Sequence, residues 1–125
     1  MHPQRDPETI KSLVDVECEG AAFIPLRAAI GPFLTEPYVR MLEWQYAKET
    51  RHVACWIVAD LGPERNGMTL AFSDLGHGSH GNPWGIVMPE ENAIQRDDSW
   101  FTCLEDAFIN SGAWSGPLSD NYEIR

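Results

Sequence analysis

Positive charge is scarce in this chain. Nine Lys and Arg residues stand against nineteen Asp and Glu among 125 residues, a formal net charge of −10. The deficit is concentrated late: residues 63–125 hold three basic groups, Arg65, Arg96 and Arg125, and ten acidic ones, a net of −7. Such a field repels phosphate backbones and disfavours nucleic acid as a direct partner; solubility, a cation or a basic protein partner all suit it. Cysteine is sparse too. Cys18, Cys55 and Cys103 are odd in number and have no C-x-x-C spacing. They read as free thiols packed as small hydrophobes, which favours a reducing compartment. No apolar run approaches the roughly 20 residues that a membrane-spanning helix needs, so no membrane partner is expected. The first residues, Met1 to Lys11, are polar and hold no apolar leader core. A cytoplasmic protein is the expectation. There are no repeats and no low-complexity segments.

What is present is an ordinary globular composition, 43% hydrophobic and 22% charged. The length suits a single domain over residues 1–125. The organising stretch is Arg51–Pro89. Val53–Ala59 is continuously apolar, the pattern of a central strand covered on both faces. Gly62–Gly67 predicts a hairpin loop, with Asn66-Gly67 as its turn. Met68, Leu70 and Phe72 then alternate with Thr69, Ala71 and Ser73 along a second strand that ends near Asp74. Leu75–Pro83 is glycine-rich and predicts a loop. Trp84–Met88 predicts a third strand, stopped by Pro89.

Upstream, an Asp6 cap and Pro7 open a helix that runs to about Val16, with Gly20 beyond it. Ala21–Leu34 is broken by Pro25, Gly31 and Pro32; it predicts a packed connection with a turn or two of helix around Leu26–Ile30. Thr35 as a cap, Glu36-Pro37 in a first turn, and Val39, Leu42 and Tyr46 at helical spacing predict a helix to about Thr50, with a Glu36–Arg40 pair along it. Downstream, Glu90–Asp98 predicts an acidic loop. Trp100, Phe101, Leu104, Ala107 and Phe108 form the stripe of a helix that starts near Ser99, or at Thr102, whose spacing to Glu105 is that of a capping box; Gly112 closes it. Tyr122–Arg125 is a loose end or a last short strand. The fold class is α+β: an antiparallel meander of three or four strands, with two or three helices packed mainly on one face.

Candidate chemistry gathers in Asp74-Leu-Gly-His77-Gly-Ser-His80-Gly. Asp74, His77 and His80 are spaced by three, and carboxylate and imidazole are ligands for zinc or a similar ion. This loop centres an alternative reading, a small metal-binding or hydrolytic enzyme. Against it, structural zinc sites usually take four ligands, and Ser79 lacks a G-x-S-x-G elbow. The glycines lead into a strand and not a helix N-terminus, which removes the mechanism of a phosphate cradle. Cys55 with His52, or Cys103 with His77, is a nucleophile–base pairing that spacing leaves open. Carboxylate pairs at Glu90-Glu91, Asp97-Asp98 and Glu105-Asp106 flank Trp84, Trp100 and Trp114. Such a set suits a Lys- and Arg-bearing partner, with aromatics anchoring and carboxylates steering; it equally suits a core with a solvated rim.

Trp84-Gly85-Ile86-Val87, Asp98-Ser99-Trp100-Phe101 and Leu104-Glu105-Asp106-Ala107-Phe108, following Ala71-Phe72-Ser73-Asp74 and a glycine loop, form a pattern over residues 51–114. It resembles the small acidic immunity proteins that bacteria encode beside polymorphic or contact-dependent toxins. The resemblance implies a protein that neutralises a cognate toxin by binding it, often by covering the toxin's active site with acidic surface. It carries over no catalytic residue. The leading expectation is therefore a binding protein and not an enzyme, with no cofactor and no metal. Its partner would be a basic toxin domain, met through His77, His80, Glu90, Glu91, Asp97 and Asp98.

Overall fold

The structure is a computed structural model that describes residues 6–46, 49–77, 82–90, 93–94 and 99–124; for 44–46, 49–51, 75–77 and 93–94 only the backbone is described. The chain opens with helix α1 (Pro7–Glu19). Asp6 caps it, its Oδ1 accepting from Thr9 N and Thr9 Oγ1, both at 2.8 Å. Ile10 and Val14 are its buried residues, one helical turn apart. A short helix α2 (Leu26–Ile30) continues into a single 3₁₀ turn at Gly31–Phe33.

The next segment is not the expected helix. Leu34–Tyr46 is strand β1, antiparallel to β2 (Glu49–Asp60), with Val39 opposite Trp56 and Leu42 opposite Val53. The expected Glu36–Arg40 pair is absent. Glu36 Oε2 instead binds Lys11 Nζ at 2.7 Å, and Arg40 Nη1 and Nη2 donate to the carbonyls of Met88 and Pro89, each at 2.9 Å. The segment is rich in β-branched and aromatic residues, and the apolar strand β2 needs a neighbour for its backbone groups. That long-range demand overrides local helical spacing.

The β2 hairpin follows expectation. Gly62, Asn66 and Gly67 all have positive φ (82°, 58° and 72°), conformations that glycine and asparagine tolerate. Strand β3 (Thr69–His77) and strand β4 (Asn82–Val87) continue the antiparallel meander. Both extend into the expected glycine loop, and their last pair is His77 with Asn82. Two further strands were not anticipated. Ala93–Ile94 is β5, parallel to β1 at Glu43 and Trp44. Trp100–Phe101 is β6, antiparallel to β4. Helix α3 (Leu104–Asn110) therefore starts later than Ser99. The capping box is absent: Leu104 N bonds the Glu17 carboxylate of α1 at 2.8 Å, and Glu105 turns elsewhere. Tyr122 to Ile124 is not a strand.

The fold is α+β. The sheet has six strands in the order β5-β1-β2-β3-β4-β6, five of them antiparallel to their neighbours, more than the three or four expected. Its edges cannot lie flat. A flat six-stranded sheet would separate β5 from β6 by about 24 Å, whereas the five residues between Ile94 and Trp100 span about 20 Å at full extension. The sheet is therefore curled, which also brings Arg40 of β1 within reach of the carbonyls that follow β4.

The curl separates two cores. The larger one packs all three helices against one face: Ile10, Leu26, Ile30, Leu104 and Phe108 meet Trp56, Val58, Leu70, Phe72, Trp84 and Phe101. The smaller one lies on the other face and joins Leu42, Val53, Cys55, Ile57, Ala71, Val87 and Trp100. Residues 53–58 of β2 thus alternate between the two, as a strand covered on both faces must.

Candidate protein-interaction surface

Strand β1 lies between β2 and the two-residue edge strand β5. One side pairs with β2; on the other, among the described residues, β5 covers only Glu43 and Trp44. The register puts Tyr38, Arg40 and Leu42 on the face of the smaller core, and Val39, Met41 and Glu43 on the helix face. Helix α1 meets β1 and β2 and helix α3 meets β4 and β6, yet no β1 residue belongs to the larger core. The outward apolar side chains of β1 are consequently left in water: Leu34 is 42% exposed, Tyr38 49%, Val39 36% and Met41 43%. Four of the seven large hydrophobics exposed among the described residues lie on this one strand. Such a concentration is uncommon away from interaction sites.

Carboxylates rim this stripe. Glu36 and Glu43 are exposed on β1, and Glu90 is exposed just past the carbonyls that hold Arg40. Among the described residues the cations nearby are engaged. Lys11 is tied to Glu36 and, at 3.2 Å, to Glu8, and these hydrogen bonds raise its pKa, Glu36 contributing most. Arg40 grips two carbonyls. His52 Nε2 stands 3.7 Å from Glu43 Oε1.

Of the contact positions expected from sequence, Glu90 is exposed on the surface and the backbone of His77 ends β3. His80, Glu91, Asp97 and Asp98 lie outside the described residues. Asp74 of the metal alternative is exposed on β3, and among the described residues no group of three metal-ligating side chains comes together. The Cys55–His52 pairing is ruled out by the strand. Cys55 faces the smaller core while His52, three residues away, faces the other side and is exposed. Burial also pushes the Cys55 thiol up to about 12, which leaves it protonated and inert.

The third carboxylate pair is not surface. Glu105 and Asp106 are both buried. Glu105 Oε1 accepts from Ala22 N at 3.1 Å, and Oε2 from Phe23 N at 2.8 Å and Ile24 N at 3.0 Å. It thereby satisfies the backbone of the bend between α1 and α2. Asp106 Oδ1 accepts from Tyr122 Oη at 2.9 Å, and Tyr122 also packs edge-on against Phe23 with ring centroids 5.0 Å apart. Burial first, and then the hydrogen bond to Asp106, push the Tyr122 phenol up to about 12. The tryptophans expected as anchors are also inside: Trp84 and Trp100 are core, and Trp114 is half-buried with its Nε1 donating to Pro117 O.

Compared with protein-family models, curated proteins and solved structures, the chain matches none. No helix among the described residues is long and apolar enough to cross a membrane. The apolar stripe on β1 is not legible in sequence as long as the helical spacing of Val39, Leu42 and Tyr46 is what is followed. The signal that would have found it is the alternation Tyr38, Arg40, Leu42 against Val39, Met41, Glu43.

Proposed function

We propose that this chain is an acidic binding protein that neutralises a cognate toxin by protein–protein interaction, acting in the cytoplasm of the cell that makes it. The observation that carries the reading is a strand with exposed apolar side chains rimmed by carboxylates, whose neighbouring cations Lys11 and Arg40 are already engaged. Apolar side chains supply contact area, and an acidic rim on a chain of net charge −10 attracts a basic partner and speeds its encounter. The resemblance of residues 51–114 to immunity proteins gives the partner its class.

The test looks for a toxin-like reading frame beside the one that encodes this chain and pairs the two products. Co-expression is expected to restore growth, and the purified pair to form a complex whose Kd rises steeply with salt. A toxic neighbour that this chain neither binds nor counteracts would sink the proposal.

A further inference from the structure

We infer that Asp106, Asn110 and Phe23 form a binding site for a phenol, which the chain fills with its own Tyr122, and that residues 115–124 are a strap whose release opens the site to a para-substituted phenol from outside. The inference is independent of the binding function proposed above.

The far end of the strap is held at one point. Of the ten residues 115–124, which form neither helix nor strand, Tyr122 alone is not exposed. At the near end Trp114 packs on the larger core, and its Nε1 donates to Pro117 O at 3.2 Å. Beyond Pro117, the hydrogen bonds that reach the rest of the described residues meet at the Tyr122 hydroxyl. It donates to Asp106 Oδ1 at 2.9 Å and accepts from Asn110 Nδ2 at 3.0 Å. The others stay inside the strap: Asn121 N donates to Ser119 Oγ, and Tyr122 N to Ser119 O.

The receiving groups are placed without help from the strap. Asp106 is buried on α3. Asn110 Nδ2 also donates to the Asp106 carbonyl at 2.8 Å, which orients the amide one turn along the same helix. Phe23 N is held by Glu105 Oε2 at 2.8 Å, and the Phe23 ring meets the Tyr122 ring edge-on, at 86°. A carboxylate acceptor, an amide donor and an aromatic wall are thus fixed around one hydroxyl-bearing ring. Such a preorganised set lowers the ordering cost of any ring that enters.

The chemistry selects the ligand. A phenol hydroxyl both donates and accepts, which matches the carboxylate and the amide together. A bare phenyl ring, or an aryl ether with no proton to give, deprives the buried carboxylate of that donor. Tyr122 enters with its para substituent, the chain itself, leading out to exposed Asn121 and Glu123. A para substituent on a ligand has the same route to water. Exposed Asp120 and Glu123 flank the route and disfavour an anionic substituent. Seven residues separate Trp114 from Tyr122, so the tethered phenol competes at an effective concentration on the order of millimolar.

The test uses the full chain with p-cresol as the probe and 4-methylanisole, its methyl ether, as the control, read by calorimetry and amide NMR. Tyr122→Ala is expected to bind p-cresol at least tenfold more tightly than the ether, and at least tenfold more tightly than the wild type does. Its amide shifts should be confined to 22–24 and 104–110. Adding Asn110→Ala is expected to lower that affinity several-fold. A second measurement needs no variant to fold. In wild type with ¹³C-labelled tyrosine rings, p-cresol at several times the effective concentration of the tether is expected to move the Tyr122 ring signals to unstructured-chain positions. Equal binding of the two probes, shifts elsewhere, or no binding by a folded Tyr122→Ala chain overturns the phenol site. Equal affinity of variant and wild type, or Tyr122 signals that stay in place under that excess, overturns the strap.

Discussion

Trp100 packs directly on the backbone of Gly85. A Cβ at residue 85 would lie 2.4 Å from Trp100 Cδ2 and 2.5 Å from Cε2 and Cε3. The two are cross-strand partners in β4 and β6, and Trp100 is one of the buried residues of the smaller core. Gly85→Ala gains a few tenths of a kcal/mol by reducing unfolded-chain freedom. Displacing a buried indole costs more, so a net loss of about 2 kcal/mol is expected by denaturant unfolding. The loss should shrink when Trp100→Leu is added, because the smaller side chain vacates the contact; an additive double variant would show that the two do not share it.

Glu105 holds the bend between α1 and α2 through three backbone N–H groups. Glu105→Ala leaves them without an acceptor, at about 1–3 kcal/mol for each group that stays buried. Ile24 is buried and the other two partly so, which puts the expected loss at about 3 kcal/mol or more. Glu105→Gln retains one oxygen and turns an amide N–H₂ toward donors, so it should fall between wild type and alanine in urea midpoint.

Tyr122 makes stability depend on pH in an alkaline window. Its folded pKa is raised from 10.0 to about 12, chiefly by burial and then by the hydrogen bond to Asp106. Between these values the unfolded chain releases the phenolic proton while the folded chain keeps it. The associated stabilisation is complete below pH 10 and is lost as pH rises toward 12. Thermal melts from pH 9 to 12 are expected to show this decline in the wild type and a shallower one in Tyr122→Phe. Phenolate absorbance of the folded protein should rise late, and a titration centred near 10 would contradict the burial.

These contacts show where the sequence was legible and where it was not. The Asp6 cap, the Gly62–Gly67 hairpin and the two-faced strand from Val53 are local patterns, and each formed as read. Residues 34–46 carried two patterns at once: Val39, Leu42 and Tyr46 fit a helix, while Tyr38, Arg40 and Leu42 alternate. The deciding factor was the backbone of β2, which no local window contains. Trp100 and Phe101 fit a helical stripe equally well, and pairing with Trp84 and Gly85 placed them in the sheet. The candidate surface was hidden for the same reason. Whether Val39 and Met41 are covered depends on how far the helices extend across the sheet, a tertiary quantity.

The rim carboxylates should differ among themselves in their effect on toxin binding, and the difference is set by Lys11. Glu43→Gln removes one exposed negative charge beside the apolar stripe of β1. Glu36→Gln removes one as well, and it also frees Lys11 Nζ from its partner at 2.7 Å. The ion pair is exposed on both sides and contributes little to folding, so neither variant should unfold. For a basic partner the two are not equivalent: Glu36→Gln leaves Lys11 with Glu8 alone, at 3.2 Å, so its ammonium is less well compensated within the ~8 Å Debye length of an incoming Lys or Arg at physiological salt. Glu36→Gln is therefore expected to raise Kd several-fold more than Glu43→Gln, with Lys11→Ala restoring part of the loss. Replacing Glu90, Glu91, Asp97 and Asp98 together by their amides should act mainly on the association rate, flattening its salt dependence. Equal, small effects of Glu36→Gln and Glu43→Gln, alongside a large effect of the four later acids on dissociation, would move the contact away from β1 and onto the segment beyond β4.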